Sequence, residues 1–148
     1  MGTGSPPKQW AALMAEMMVS DFSTSLAFWT GPLGFDIAFT RPAQKLACLQ
    51  RADGAQVMIY QRDGDWETGP LATPFGRGAV IQVYVENVDE MATAFRAINH
   101  PFYVEPREKW RDWGDRLGGQ REFLVQDPDG YLIMIAQRIG ERPLPDPA

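Results

Sequence analysis

The chain is short of the residues from which most catalytic and metal sites are made. Of its 148 residues, one is cysteine (Cys48) and one is histidine (His100). A single thiol excludes an intrachain disulfide, and a single imidazole excludes a histidine-rich metal centre. No apolar run reaches the roughly 18 residues needed to cross a bilayer. Basic residues are also in deficit, 14 Lys and Arg against 19 Asp and Glu, for a net charge of -5. Nucleic acid is a poor partner for such a chain, because neutralising phosphates needs clustered Lys and Arg. The acidity favours a cationic ligand instead. Residues 1–9 are rich in Gly, Ser and Pro and lack an apolar segment. They do not resemble a secretory leader, so a cytoplasmic location is expected.

What the chain does contain is an internal repeat. Val125-Gln126-Asp127-Pro128-Asp129-Gly130-Tyr131-Leu132-Ile133-Met134-Ile135-Ala136-Gln137 reads as strand, tight turn and returning strand, because Asp-Gly supplies positive φ between runs of β-formers. Residues 50–61 match residues 126–137, 76 positions later, at Gln, Asp, Gly, Met, Ile and Gln. A second echo, at an offset of 66, relates Val19-Ser20-Asp21-Phe22-Ser23 to Val85-Glu86-Asn87-Val88-Asp89, each followed by an amphipathic helical pattern. Ser23 and Asp89 are the expected N-caps. The offset grows through an insertion of about ten residues around 106–119.

Taken in order, residues 1–9 are expected to be a flexible arm and residues 10–20 the first strand, with Met14, Glu16 and Met18 on one face. A helix, a strand near 36–41 and a hairpin over 45–61 complete a first βαβββ half, residues 10–62. Residues 63–78, rich in Gly and Pro, read as a linker. The second half, 79–140, repeats the pattern: strand 79–85, helix 89–99, strand 102–106, the insertion, and hairpin 121–137. Residues 141–148 are expected to be a flexible tail. Cys48, in an apolar strand, reads as a buried thiol, and His100 as a surface or helix-end residue.

A doubled βαβββ unit carrying Ser25-Leu26-Ala27-Phe28-Trp29, Leu33-Gly34-Phe35 and Asp127-Pro128-Asp129-Gly130 resembles the vicinal oxygen chelate superfamily of glyoxalases, dioxygenases and bleomycin resistance proteins. The resemblance covers residues 12–140. It implies an α+β fold whose two halves form a cupped mixed sheet around a shared cleft. It also implies four metal-ligand positions, here Met14, Met58, Val80 and Met134, related in pairs by the same offsets of 66 and 76. None offers the imidazole, carboxylate, amide or thiolate donor that a hard or borderline divalent ion requires. No metal and no cofactor is therefore implied.

Metal-free members include the bleomycin resistance proteins, dimers that sequester a drug. Phe28-Trp29, Val83-Tyr84-Val85 and Gly119-Gln120-Arg121-Glu122-Phe123 resemble that branch, and Phe39 falls at an aromatic ligand contact. Gln82 and Gly119 stand where well-known members carry stacking tryptophans. The expected ligand wall comprises Glu16, Phe39, Met58, Tyr60, Gln82, Tyr84 and Met134, with Trp66, Trp110 and Trp113 contributed by loops as ligand walls or dimer contacts. The methionines serve equally well as core filling, and a thioether Cu(I) site is a further option. Glu105, Arg107, Glu108, Lys109, Arg111 and Asp112 read as a solvated rim.

The expected function is metal-free sequestration of a planar or cationic antibiotic-like compound by a cytoplasmic homodimer. The alternative is a glyoxalase-fold lyase, isomerase or dioxygenase acting on a small metabolite, with Glu16 as base and Tyr60 or Tyr84 as proton donor. A protein-binding module is a third class. It differs in that methionines would close the cleft to small molecules.

Overall fold

A computed structural model of the chain describes residues 2–147. The chain divides into two compact units, Met1–Phe75 with Asp127–Gly130, and Gly76–Gln126 with Tyr131–Ala148. Each is a mixed sheet with one helix, so the α+β reading with two βαβββ units holds.

The first unit has strands β1 (Thr3–Gly4), β2 (Ala15–Val19), β3 (Asp36–Arg41), β4 (Leu46–Gln50) and β5 (Gln56–Gln61), in the order β1-β3-β4-β5-β2, and helix α1 (Phe22–Thr30). β2 and β5 are parallel, and the other pairs are antiparallel. Helix α1 starts where Asp21 takes an extended conformation and its carboxylate accepts from the Thr24 amide at 2.8 Å. Gln61 satisfies a further first-turn donor, the Phe22 amide, at 2.9 Å. The helix buries Phe28 and Trp29, and the Trp29 ring meets Phe35 edge-on at 5.4 Å.

The turn Asp127–Gly130 belongs to this unit and supplies it with acceptors. Asp127 accepts from the Trp29 indole at 3.3 Å, and Asp129 accepts from the Ser20 amide at 2.9 Å and from its hydroxyl. Gly130 has φ +96°, and a Cβ there would lie 2.4 Å from the Cβ of Pro74, so both conformation and space require glycine.

The second unit has β6 (Val80–Tyr84), α2 (Val88–Ala97), β7 (Val104–Asp112), β8 (Arg116–Gln126) and β9 (Leu132–Pro143), ordered β6-β9-β8-β7. Its capping repeats that of the first. Asn87 accepts from the Glu90 amide at 3.0 Å, and Gln137 accepts from the Val88 amide at 3.0 Å. These residues are the images of Asp21 and Gln61 at offsets of 66 and 76. The parallel registers match as well: Glu16 lies opposite Met58, and Gln82 opposite Met134. On the helix side of this sheet, Phe95 meets Phe123 edge-on at 5.6 Å.

Four expectations about the elements need correction. The N-caps are Asp21 and Asn87, two residues before Ser23 and Asp89, because each is the last extended residue before its helix and its side chain reaches the amide three residues on, Thr24 or Glu90. Residues 106–119 are not a loop: most of them extend β7 and β8 into a long hairpin, whose period-two alternation was hidden by charged residues on both faces. β9 continues to Pro143, so residues 141–143 of the expected tail are strand, and within the expected arm Thr3–Gly4 pairs with β3. β2 begins at Ala15, leaving Met14 just outside it. Met1 and Ala148, the outermost residues of the expected arm and tail, lie outside the described residues.

Among the described residues no helix is long and apolar enough to cross a membrane. Cys48 is fully buried, and burial pushes its thiol pKa up. His100 follows α2, packs against Phe95 at 5.4 Å and makes a 2.9 Å hydrogen bond to the Gln126 carbonyl.

Candidate functional site

Each sheet has one face covered by its helix and one that is free of it. In the first unit, alternation from the β2–β5 and β4–β5 registers places Glu16, Met18, Leu46, Cys48, Met58 and Tyr60 together on the helix-free face. Met18, Leu46 and Tyr60 form a buried cluster, with Phe39, Met58 and Leu71 packed against it. Phe39 also meets the Trp10 ring at 6.0 Å. Glu16 is exposed at the edge of this face, opposite Met58. The Tyr60 hydroxyl donates to Asp63. That bond first, then burial and the charges of Asp63, Asp65 and Glu16, push its pKa up to about 12. A phenol so held stays protonated across the physiological range.

In the second unit, the helix-free face carries Val80, Gln82 and Tyr84 of β6 and Met134 and Ala136 of β9. The Gln82 amide donates to the Tyr84 hydroxyl at 2.9 Å. The β8 residues on this face are Gln120, Glu122 and Leu124, and those of β7 are Arg107, Lys109 and Arg111. Glu122 is fully buried. One of its oxygens accepts from both Arg107 Nε, at 3.3 Å, and Arg111 Nη2, at 2.7 Å. The Glu122 bond pushes the Arg111 pKa up, against the opposing effect of burial. The second carboxylate oxygen, Arg111 Nη1 and Gln120 Nε2 are buried without a hydrogen-bond partner among the described residues. In a low-dielectric environment such atoms are costly, which marks this cluster as more than packing.

The two hairpin tryptophans part company here. Gly118 and Gly119 point to opposite faces of β8, and each leaves room for an indole to lie on the backbone. A Cβ on Gly118 would fall 2.0 Å from Trp113, and one on Gly119 2.6 Å from Trp110. Trp113 therefore lies on the helix-free face, 44% exposed. Trp110 shares the opposite face with Glu108, which accepts from its indole at 2.7 Å, and with Arg142, stacked 3.6 Å from the ring centroid. Trp110, expected as a ligand wall or a dimer contact, does not share a face with Gln82, Tyr84 and Met134, since an even-numbered β7 position faces away from them. Trp66 sits in the first unit at φ +61° and is 80% exposed.

Among the expected site residues, then, Phe39, Met58 and Tyr60 come together in the first unit with Glu16 at their edge, and Gln82, Tyr84, Trp113 and Met134 share a face in the second. Arg107, Arg111, Gln120, Glu122 and Arg138 were missed as site residues. The strict alternation of Arg107, Lys109 and Arg111, which marks one face of a strand, could have found the two β7 arginines; Gln120, Glu122 and Arg138 join them only through strand pairing.

Chemically, the metal-ligand positions implied by the resemblance do not suit a metal. Met14, Met58, Val80 and Met134 present thioethers and a hydrocarbon. Among the described residues no three His, Cys, Asp or Glu side chains converge. A groove of about 600 Å³ in the first unit, lined by Lys8, Gln9, Asp36, Gln50, Arg51 and Gln56 among others, contains none of the expected site residues.

The sequence model of the Glyoxalase/Bleomycin resistance protein/Dioxygenase superfamily matches residues 11–135. No curated protein matches the sequence. Solved structures with the same fold include TioX from Micromonospora sp. ML1, at 23% identity and TM-score 0.65 over 87% of this chain and 99% of that one. The virulence protein STM3117 from Salmonella typhimurium aligns at 22% identity and TM-score 0.64 over 85% of this chain and 94% of its own. Lactoylglutathione lyase from Agrobacterium tumefaciens aligns at 17% identity and TM-score 0.58, covering 90% and 96%.

Proposed function

The chain belongs to the Glyoxalase/Bleomycin resistance protein/Dioxygenase superfamily, and from that premise we propose that it is a metal-free binding protein, homodimeric, that sequesters a small planar antibiotic-like molecule. The observation that carries this is the chemistry at the four ligand positions. Met58 packs beside the apolar Met18, Leu46 and Tyr60 cluster, Met134 lies in the strand register that matches it, and neither Met14 nor Val80 offers a nitrogen or oxygen donor. Such surfaces suit dispersion contact with a flat molecule better than Lewis-acid catalysis. Aromatic groups on the helix-free faces, Phe39 in the first unit and Tyr84 and Trp113 in the second, add stacking area.

The test is a thermal-shift series on metal-stripped protein against planar antibiotics, bleomycin among them, and against Ni(II), Zn(II), Mn(II) and Fe(II). A ligand that binds only the folded state raises its melting temperature by mass action. Stabilisation by a planar compound without metal is expected. Stabilisation by a divalent metal, with turnover that a Glu16→Gln substitution abolishes, would replace this proposal with the enzymatic one. Sedimentation of the free protein tests the dimer.

A further inference from the structure

Building on the binding function just proposed, we infer that the helix-free face of the second sheet takes an aromatic carboxylate with a neighbouring hydroxyl, not a cation. The net charge of -5 favours cations over the molecule as a whole, but this face has the opposite sign. The strand registers place Arg107, Lys109, Arg111, Arg116 and Arg138 on it, and among the described strand residues Glu122 and Glu141 are its carboxylates. Arg116 and Glu141 pair with each other at 2.9 Å, and Asp115 also engages Arg116. That leaves Arg107, Lys109, Arg111 and Arg138 against Glu122 alone. The acids of neighbouring positions are turned away: Glu108 binds the Trp110 indole, Asp112 takes the Gly114 amide, and Asp89 pairs with Arg121 at 2.8 Å on the helix side.

Glu122 organises the cations instead of neutralising them. Both guanidinia converge on one of its oxygens, so each retains further N–H groups, and the Arg107 and Arg111 side chains are 41% and 39% exposed. Arg138 forms no ion pair among the described residues. Its guanidinium lies 4.8 Å from the Tyr84 ring centroid, which leaves the planar edge available to an oxyanion.

The unpartnered atoms define what is complementary. Arg111 Nη1 and Gln120 Nε2 are donors that lack an acceptor, and the second oxygen of Glu122 is an acceptor that lacks a donor. A carboxylate beside a hydroxyl supplies acceptors to the first two and a donor to the third. The Trp113 indole, lying over Gly118 on the same face, offers a surface for the ring that carries them.

The test compares salicylate, benzoate and benzylammonium by calorimetry and tryptophan quenching. Salicylate is expected to bind tightest and benzylammonium weakest. Arg138→Gln and Arg111→Gln should each weaken salicylate by about tenfold or more, and Trp113→Phe should remove the quenching. Arg138 makes no ion pair with Glu122 among the described residues, so its substitution separates recognition from the anchoring role of Glu122. Tighter binding of benzylammonium, or salicylate affinity unchanged in both arginine variants, would overturn the inference. If planar antibiotics bind and none of the carboxylates does, the inference fails while the binding function stands. If no small molecule of any charge binds, both fail.

Discussion

Replacing Glu122 by alanine removes the single carboxylate on which two guanidinia converge. Breaking a buried ion pair by deleting one partner costs about 3–5 kcal/mol where both ions are out of water. Here Glu122 is fully buried but Arg107 and Arg111 keep 41% and 39% of their side chains exposed. Water can rehydrate the arginines once the carboxylate is gone, which brings the expected loss to about 2–3 kcal/mol. For a chain of this length that is a fall in melting temperature of roughly 5–10 °C. Glu122→Gln keeps one acceptor for Arg111 Nη2 but loses the charge and turns the other oxygen into an amide donor, so a loss of at least about 1 kcal/mol, smaller than that of alanine, is expected. The assay is urea and thermal unfolding of wild type, Glu122→Ala, Arg111→Ala and the double variant. A coupling energy between about 0.5 and 3 kcal/mol should emerge from the cycle. A Glu122→Ala variant that melts with the wild type, or strict additivity of the two single substitutions, would refute the assignment of Glu122 as the anchor of this face.

Tyrosinate absorbance should show a step near pH 12 that Tyr60→Phe removes, since hydrogen bonding to Asp63 holds Tyr60 there. Because the folded-state value is raised above the ordinary phenol value of 10.0, this contribution to stability is complete below pH about 10 and lost as the pH rises through about 12. Superposable titrations of wild type and variant would sink the assignment. Asp21→Ala and Asn87→Ala should each lower stability in urea unfolding, Asn87→Ala by about 1 kcal/mol, as loss of an N-cap does. Hydrogen bonding to Thr24 holds the Asp21 carboxyl below its ordinary value. The wild type should therefore lose this contribution as the pH falls through that lowered value, and Asp21→Asn should flatten that part of the acid profile. Gly130→Ala places a Cβ against Pro74 at positive φ and should cost more than about 1 kcal/mol. A melt unchanged by it would mean that the turn tolerates another conformation.

Much of the fold was legible because a duplication checks itself. The offsets of 66 and 76, found as shared letters, reappear as the same strand register in both units, Glu16 opposite Met58 and Gln82 opposite Met134. They recur in the capping pairs Asp21 with Gln61 and Asn87 with Gln137. The hairpin over 104–126 escaped notice because strands are recognised by apolar alternation. In β7 both faces are polar, one lined by arginines and the other by Glu108 beneath Trp110.

The α+β class, the internal repeat and the motifs that resemble the family could be read from the chain's letters alone. All of these depend on residue identity and local spacing, which need no third dimension. It took the folded chain to show that Trp110 and Trp113 look opposite ways, that Asp127 and Asp129 serve the first unit, and that Glu122 gathers Arg107 and Arg111 on one face. Net charge is a sum over the whole chain and says nothing of where each charge points. Pairing three long strands in register puts Arg107, Arg111, Arg116 and Arg138 on one face, with Arg121, Arg142 and most of the neighbouring acids on the other, and so creates a cationic surface in an acidic protein.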